Sequence, residues 1–144
     1  MFVLYDADCG FCRWAMAWVL RRDDRRLLVA VPIQSSLGAE LLADLDPGDR
    51  LLAAHAVGED GRRRSGGAAA AEVLAALPSM RLPAHLAGSA PRITNLLYGI
   101  VAKRRMSFGR LVGRRARQRA DRLLEAASVT TAAELETRSL RESS

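Results

Sequence analysis

Cysteine is scarce in this chain: there are two residues in 144, three positions apart. Secreted domains held by disulfides carry more cysteines, spread so that bridges close long loops. A bridge between Cys9 and Cys12 would close a tiny loop and add little to stability, which points to reactivity or metal binding instead. Aromatic residues are also few, at 5% of the chain, so the core has to be mostly aliphatic. The opening MFVLYDADC lacks a basic start, a long apolar stretch and a small-residue cleavage site. No apolar run approaches the ~20 residues that span a bilayer. The expectation is a soluble, cytoplasmic protein.

What the chain does contain is one domain's worth of sequence, 49% apolar and 26% charged. The net charge of +6 is unevenly placed. Residues 1–90 hold 10 Arg against 11 acids, whereas residues 91–144 hold 12 Lys or Arg against 5 acids. The basic character belongs to the C-terminal third.

Phe2-Val3-Leu4-Tyr5 reads as a buried strand, and Asp6-Ala7-Asp8 as turn and N-cap. FCRWAMAWVLRR, from Phe11 to about Arg22, reads as a well-buried helix closing on two arginines that suit its C-terminal dipole. Trp14 and Trp18, four apart on it, read by default as core. Asp23-Asp24-Arg25-Arg26 is expected to be a solvated turn. Leu27–Ile33 is a second strand, and Ser35 or Ser36 caps a second helix that stops at Asp46-Pro47-Gly48. Leu51–Val57 reads as a third strand. Glu59-Asp60-Gly61 is a hairpin turn and Arg62–Ser65 a polar edge strand. Gly66-Gly67 then releases the chain into an Ala-rich helix over 68–77. The order β-α-β-α-β-β-α is that of the thioredoxin fold, an α/β class with helices on both faces of a sheet.

The character changes after Pro83. Pro91 opens a helical pattern of Ile93, Leu96, Leu97, Ile100 and Val101. A basic helical segment follows from about Leu111 to Ala127. Thr130 or Thr131 starts a last short helix, and RSLRESS is read as frayed. Residues 1–110 are taken as the α/β domain with its helical close, and 111–144 as a basic helical extension.

The chemistry resides in Cys9-Gly10-Phe11-Cys12. A C-x-x-C pair after a strand and opening a helix places its first sulfur beside unpaired N–H groups and the positive end of the helix dipole. That field favours the thiolate, the attacking species. On this basis Cys9 is the nucleophile and Cys12, one turn inside, the resolving thiol. Gly10, Phe11, Arg13 and Trp14 support the site. Arg13 would favour thiolate, while Asp6 and Asp8, if ionised and close, would disfavour it. A buried, neutral Asp6 could instead exchange a proton with Cys12. A structural zinc is disfavoured because only His55 and His85 could join the sulfurs, and each reads as a structural or surface residue.

Tyr5-Asp6-Ala7-Asp8-Cys9-Gly10-Phe11-Cys12 resembles the Y-D-x-x-C-x-x-C signature of the DCC family of thiol–disulfide oxidoreductases. The likeness continues through Ile33-Gln34-Ser35 and Ser65-Gly66-Gly67-Ala68-Ala69. It closes with Pro91-Arg92, Leu97-Tyr98, Ala102-Lys103-Arg104-Arg105-Met106 and Phe108-Gly109, so it covers roughly residues 1–110. The resemblance implies a thioredoxin-like fold and thiol–disulfide oxidoreductase activity. Two departures stand out. Ala7 replaces a frequent Gly, and Pro47 lies four residues ahead of Leu51, whereas thioredoxins place a proline immediately before the third strand.

Lys103 to Arg122 holds nine basic residues and one acid. A solvated helical face with Arg stems over apolar surface is the favoured reading. Contact with nucleic acid or an anionic membrane is not favoured, for want of interleaved aromatics and of a strong apolar stripe. The leading expectation is an enzyme that needs no bound cofactor beyond its Cys9–Cys12 disulfide. It would reduce disulfides of a client protein or small thiol, with electrons from an external thiol reductant. The alternatives are a non-catalytic binding module whose basic C-terminal surface takes an acidic partner, nucleic acid or membrane, and thiol-based metal handling.

Overall fold

Phe2, Val3, Leu4 and Tyr5 form β1 (Phe2–Tyr5), and their side chains alternate between two buried layers. In the computed structural model, which describes residues 1–80, 85 and 89–142, β1 is the central strand. It pairs in parallel with β2 (Val29–Pro32), in the register Phe2↔Val29 to Tyr5↔Pro32. On its other side it pairs antiparallel with β3 (His55–Val57), which in turn pairs with β4 (Arg63–Ser65). The four-stranded mixed sheet has the order β2-β1-β3-β4. With its helices it makes a mixed α/β structure compatible with the thioredoxin-like arrangement.

Helices cover both faces. On one face, Val3, Tyr5 and Ala56 of the sheet meet Met16 and Ala17 of α1 (Gly10–Leu20) and Ala69 and Val73 of α4 (Gly67–Ala76). On the other, Leu4, Val31 and Val57 meet Leu37 of α2 (Ser36–Leu41) and Leu42 at its end. Ser35 caps α2 by accepting the Gly38 N–H at 3.0 Å. Burying Leu4, Leu42 and Leu77 completely contributes about 1.5–3 kcal/mol for each side chain.

Several local expectations are corrected. The helix α1 stops at Leu20, and Arg22 folds back to donate to the Trp18 carbonyl at 3.2 Å. Its guanidinium lies 3.7 Å from the centre of the Trp18 ring, so this tryptophan is a half-buried platform and not core. Trp14 is half-buried as well, because the buried positions of α1 are Met16 and Ala17. The turn after α1 is not fully solvated: Asp23 is buried and accepts from the Leu27 and Leu28 N–H groups at 3.0 and 2.7 Å. The third strand begins only at His55, because Pro47 opens the one-turn helix α3 (Pro47–Arg50), where its missing N–H costs nothing.

Beyond α4, a 3₁₀ turn (Pro78–Met80) precedes α5 (Pro91–Leu111) and α6 (Arg114–Glu142). Pro83 lies outside the described residues, as do the last two serines. No break occurs at Thr130 or Thr131; the backbone stays helical through Glu142. Of the stripe, Ile93, Leu96, Leu97 and Ile100 face outward and Val101 lies at the margin of a cavity, while Thr94, Tyr98 and Arg105 turn inward. α5 approaches α4 closely at Gly67, where a Cβ would collide with Asn95. Gly66, at φ +63°, lies against the Tyr98 ring, and the Tyr98 hydroxyl accepts the Ala54 N–H at 2.6 Å. The segment beyond residue 111 also enters the first core layer, through Ala120 and Leu124 of α6.

His55 is structural, as its place in a strand suggested. Its Nε2 bonds the Arg50 carbonyl at 2.9 Å, so Nδ1 accepts from the Ser65 hydroxyl at 2.8 Å in the neutral ring. Ser65 Oγ in turn accepts from Arg63 at 2.6 Å. Burial, above all, holds the imidazole below its ordinary 6.5; the Arg50 carbonyl opposes this, Arg63 adds to it and Asp44 opposes it. Protonation is then easier in the unfolded chain, so stability should fall as pH drops through 6.5. Urea midpoints should decrease from about pH 7 to about pH 5, and His55→Gln should remove most of that slope. Leu124→Ala should cost about 2–4 kcal/mol in the same assay, whereas a C-terminal helix merely appended to the core would leave the midpoint unmoved.

Candidate functional site

The turn between β1 and α1 brings the two cysteines together. Cys9 is the N-cap of α1 in an extended conformation (φ −91°, ψ 109°), and its sulfur accepts the Cys12 N–H at 3.2 Å. The cysteine sulfurs are joined as a disulfide, with the Cα atoms 5.2 Å apart. One carboxyl oxygen of Asp6 and both sulfurs lie within 4.8 Å of one another.

Asp6 is held by donors on every side. Its Oδ1 accepts the Asp8 N–H at 3.0 Å and Gln34 Nε2 at 2.8 Å, and its Oδ2 faces the Arg105 guanidinium at 3.9 Å. Gln34 also donates to Asp8 at 3.2 Å and accepts the Ala7 N–H at 3.1 Å, so a single side chain organises the loop. Neither Gln34 nor Arg105 is among the site residues the sequence suggests. A signal existed for Gln34: extending the β1–β2 register by two residues sets it opposite Ala7. Arg105 lies in the family-like Ala102–Met106 motif, which points to a structural role or a part in the field of the site, and the docking of α5 supplies its partner, Asp6.

The supporting residues are placed as follows. Arg13 is turned to α6, where it pairs with Asp121 at 2.8 Å, and it reaches the Ala7 carbonyl at 3.4 Å. Phe11 meets Trp14 and Phe108 with ring centres 5.8 and 5.7 Å apart. Gly10 lies under Arg117, whose side chain a Cβ at that position would contact at 3.8 Å. Burial raises the pKa of the Tyr5 phenol; Arg13 opposes the shift and Asp121 adds to it.

The two sulfurs differ in access. Cys9 is 2% exposed, whereas Cys12 is half-buried. Cys12 lines a cavity of about 210 Å³ between α1, α4 and α5, and Cys9 is not among its walls. The cavity is almost wholly apolar, with Asp6, Tyr5, His55, Tyr98 and Arg105 the polar residues on its lining.

Asp6, Cys9 and Cys12 are the described residues that could together hold a metal ion. They offer three ligands where a structural zinc takes four, and sulfurs bonded to each other present no thiolate. His55 is engaged by Ser65 and Arg50, and His85 is an exposed residue. The arrangement is suited to making and breaking the sulfur–sulfur bond, with a carboxyl group near enough to exchange a proton.

A model of the family described as DCC1-like thiol-disulfide oxidoreductase matches residues 3–111. Searches of curated proteins and of solved structures give no match.

Removing the organiser of the loop should be felt at the site. Gln34→Ala strips donors and an acceptor from the turn and should cost about 1–2 kcal/mol in the oxidised protein, read from urea unfolding. An unchanged midpoint would mean that the turn holds its shape without the side chain.

Proposed function

Because the chain belongs to the DCC1-like thiol-disulfide oxidoreductase family, we propose that it catalyses thiol–disulfide exchange through Cys9 and Cys12. The observation that carries this reading is the bonded sulfur pair at a strand-to-helix turn, with the Asp6 carboxyl within 4.8 Å of both sulfurs. The reduced pair gives a thiolate that attacks a client disulfide, forms a mixed disulfide and expels a client thiolate. The second cysteine then attacks the protein's own sulfur in that mixed bond. This restores Cys9–Cys12 and releases the client as a dithiol, reduced by two electrons.

Asp6 takes the role of proton acceptor and donor for the dithiol, oriented by Gln34 and Arg105. The helix N-terminus stabilises thiolate through the Cys12 N–H that points at the Cys9 sulfur. The redox-active group is the disulfide itself, so the reaction needs no bound cofactor. In a reducing cytosol the favoured direction is reduction of a client protein or small-molecule disulfide, with an external thiol as the electron source. Among the described residues no helix is long and apolar enough to cross a membrane.

The test is reduction of insulin disulfides with dithiothreitol as electron source. Wild-type protein should accelerate the reaction, and Cys9→Ser and Cys12→Ser should each fall to the uncatalysed rate. Asp6→Asn should slow exchange by about 10²-fold and remove one limb of the pH–rate profile. An unaltered profile would take Asp6 out of the mechanism. A wild type without turnover that binds nucleic acid or anionic vesicles with steep salt dependence would favour the basic binding module instead.

A further inference from the structure

The helix N-terminus favours thiolate on Cys9, yet Cys9 is the sealed sulfur. Its residue is 2% exposed, and the end of α1 that carries it is overlaid by the C-terminal helices. Arg117 of α6 lies over Gly10, and Phe108 of α5 packs on Phe11. Cys12, one turn further in, is half-buried and forms part of the wall of the cavity between α1, α4 and α5. A partner sulfur has to approach along the axis of the bond it attacks, so access outranks a modest advantage in thiolate fraction.

Resting on the exchange reading above, we propose that the client sulfur reacts at Cys12 and not at Cys9. The client enters through the apolar cavity, so its disulfide is carried on an apolar or aromatic group. The electrostatics fit this order. When an incoming thiolate attacks Cys12 in the oxidised protein, Cys9 leaves, and its sulfur already accepts the Cys12 N–H at 3.2 Å at the helix N-terminus. A leaving thiolate held in that field departs faster. The helix end that would activate Cys9 as a nucleophile serves instead to stabilise it as the leaving group and, in the other direction, to keep it ready for resolution.

The cavity's size limits what enters. Apolar cavities on the order of 150 Å³ already take benzene, whereas drug-sized ligands need roughly 300–1,000 Å³. At about 210 Å³ the space suits one ring or one branched side chain, with Cys12 in one wall and Asp6 and Arg105 among its polar lining. The balanced reaction of the reduced protein with a symmetric aromatic disulfide runs in two steps. The Cys12 thiolate attacks one probe sulfur, the Cys12–probe bond forms and the first aromatic thiolate leaves. Cys9 then attacks the Cys12 sulfur, the Cys9–Cys12 bond forms and the second aromatic thiolate leaves. The protein loses two electrons and the probe gains them.

Dithiodipyridine, neutral and aromatic, is the probe, with oxidised glutathione as its polar counterpart. Reduced full-length Cys9→Ser should release a single equivalent of pyridinethione rapidly and keep the other half as a mixed disulfide on Cys12, seen by mass. Serine is itself a good N-cap, so this variant retains the start of α1. Cys12→Ser should react at least about 10-fold more slowly, its remaining sulfur being sealed. Ala102→Leu, which fills the cavity from α5, should slow dithiodipyridine more than glutathione. In the reduced wild type, brief alkylation followed by peptide mass analysis should find Cys12 labelled first, a readout that needs no variant to fold. Faster reaction of Cys12→Ser than of Cys9→Ser, or Cys9 labelled first, would overturn the proposal while leaving exchange chemistry intact. Failure of the wild type to reduce insulin would instead remove the exchange reading on which it rests.

Discussion

The loop from Asp6 to Asp8 has to turn a central strand directly into the first turn of a helix, and most of the site depends on how that turn is held. Gln34 binds it from the end of β2 through Asp6, Ala7 and Asp8. The Arg105 guanidinium faces the same Asp6 from α5. Cys9 closes the turn as N-cap, with its own N–H donating to the Asp6 carbonyl at 3.4 Å and its sulfur accepting from Cys12. A typical hydrogen bond contributes only about 1 kcal/mol net. Several on one three-residue loop are enough to keep two sulfurs and a carboxyl group at fixed separation.

The C-terminal helices act on this turn as well as on the core. Ala120 and Leu124 complete the apolar layer against β1 and α1, so α6 shares the core that positions the dithiol. The Arg13–Asp121 pair, Arg117 over Gly10 and Phe108 against Phe11 bring the same helices over the end of α1. Cys9 is buried under this cover while Cys12 lines the neighbouring cavity, which makes the two sulfurs unequal. The basic run divides accordingly: Arg105 and Arg117 contact the dithiol turn, while Lys103, Arg104, Arg114, Arg115, Arg119 and Arg122 are exposed.

The motifs that resembled a known family turn out to be the contacts that assemble it. Ser65 joins the His55–Arg63 hydrogen bonds, and Gly66 and Gly67 let α5 come within contact of α4. Tyr98 reaches back to Ala54 at the entry to β3. Gly66, Gly67 and Tyr98 lie far in sequence from the residues they meet. A spacing pattern could register their presence without disclosing what they touch.

By itself the sequence determined the strands at β1, β2 and β4, the α1 and α4 helices, and the dithiol at a helix start, because alternation, helical periodicity and capping are local properties. It was misleading where a local preference met a tertiary one. Trp14 and Trp18 have core-like chemistry but fall on the wrong side of α1, and Asp23 is polar yet buried because it satisfies two backbone N–H groups. The outward stripe of α5, the placement of Arg105 and Gln34, and the unequal exposure of Cys9 and Cys12 were decided only by packing. Which face of a helix is covered, and which sulfur meets solvent, depends on segments a hundred residues apart in the chain, and no local pattern carries that information.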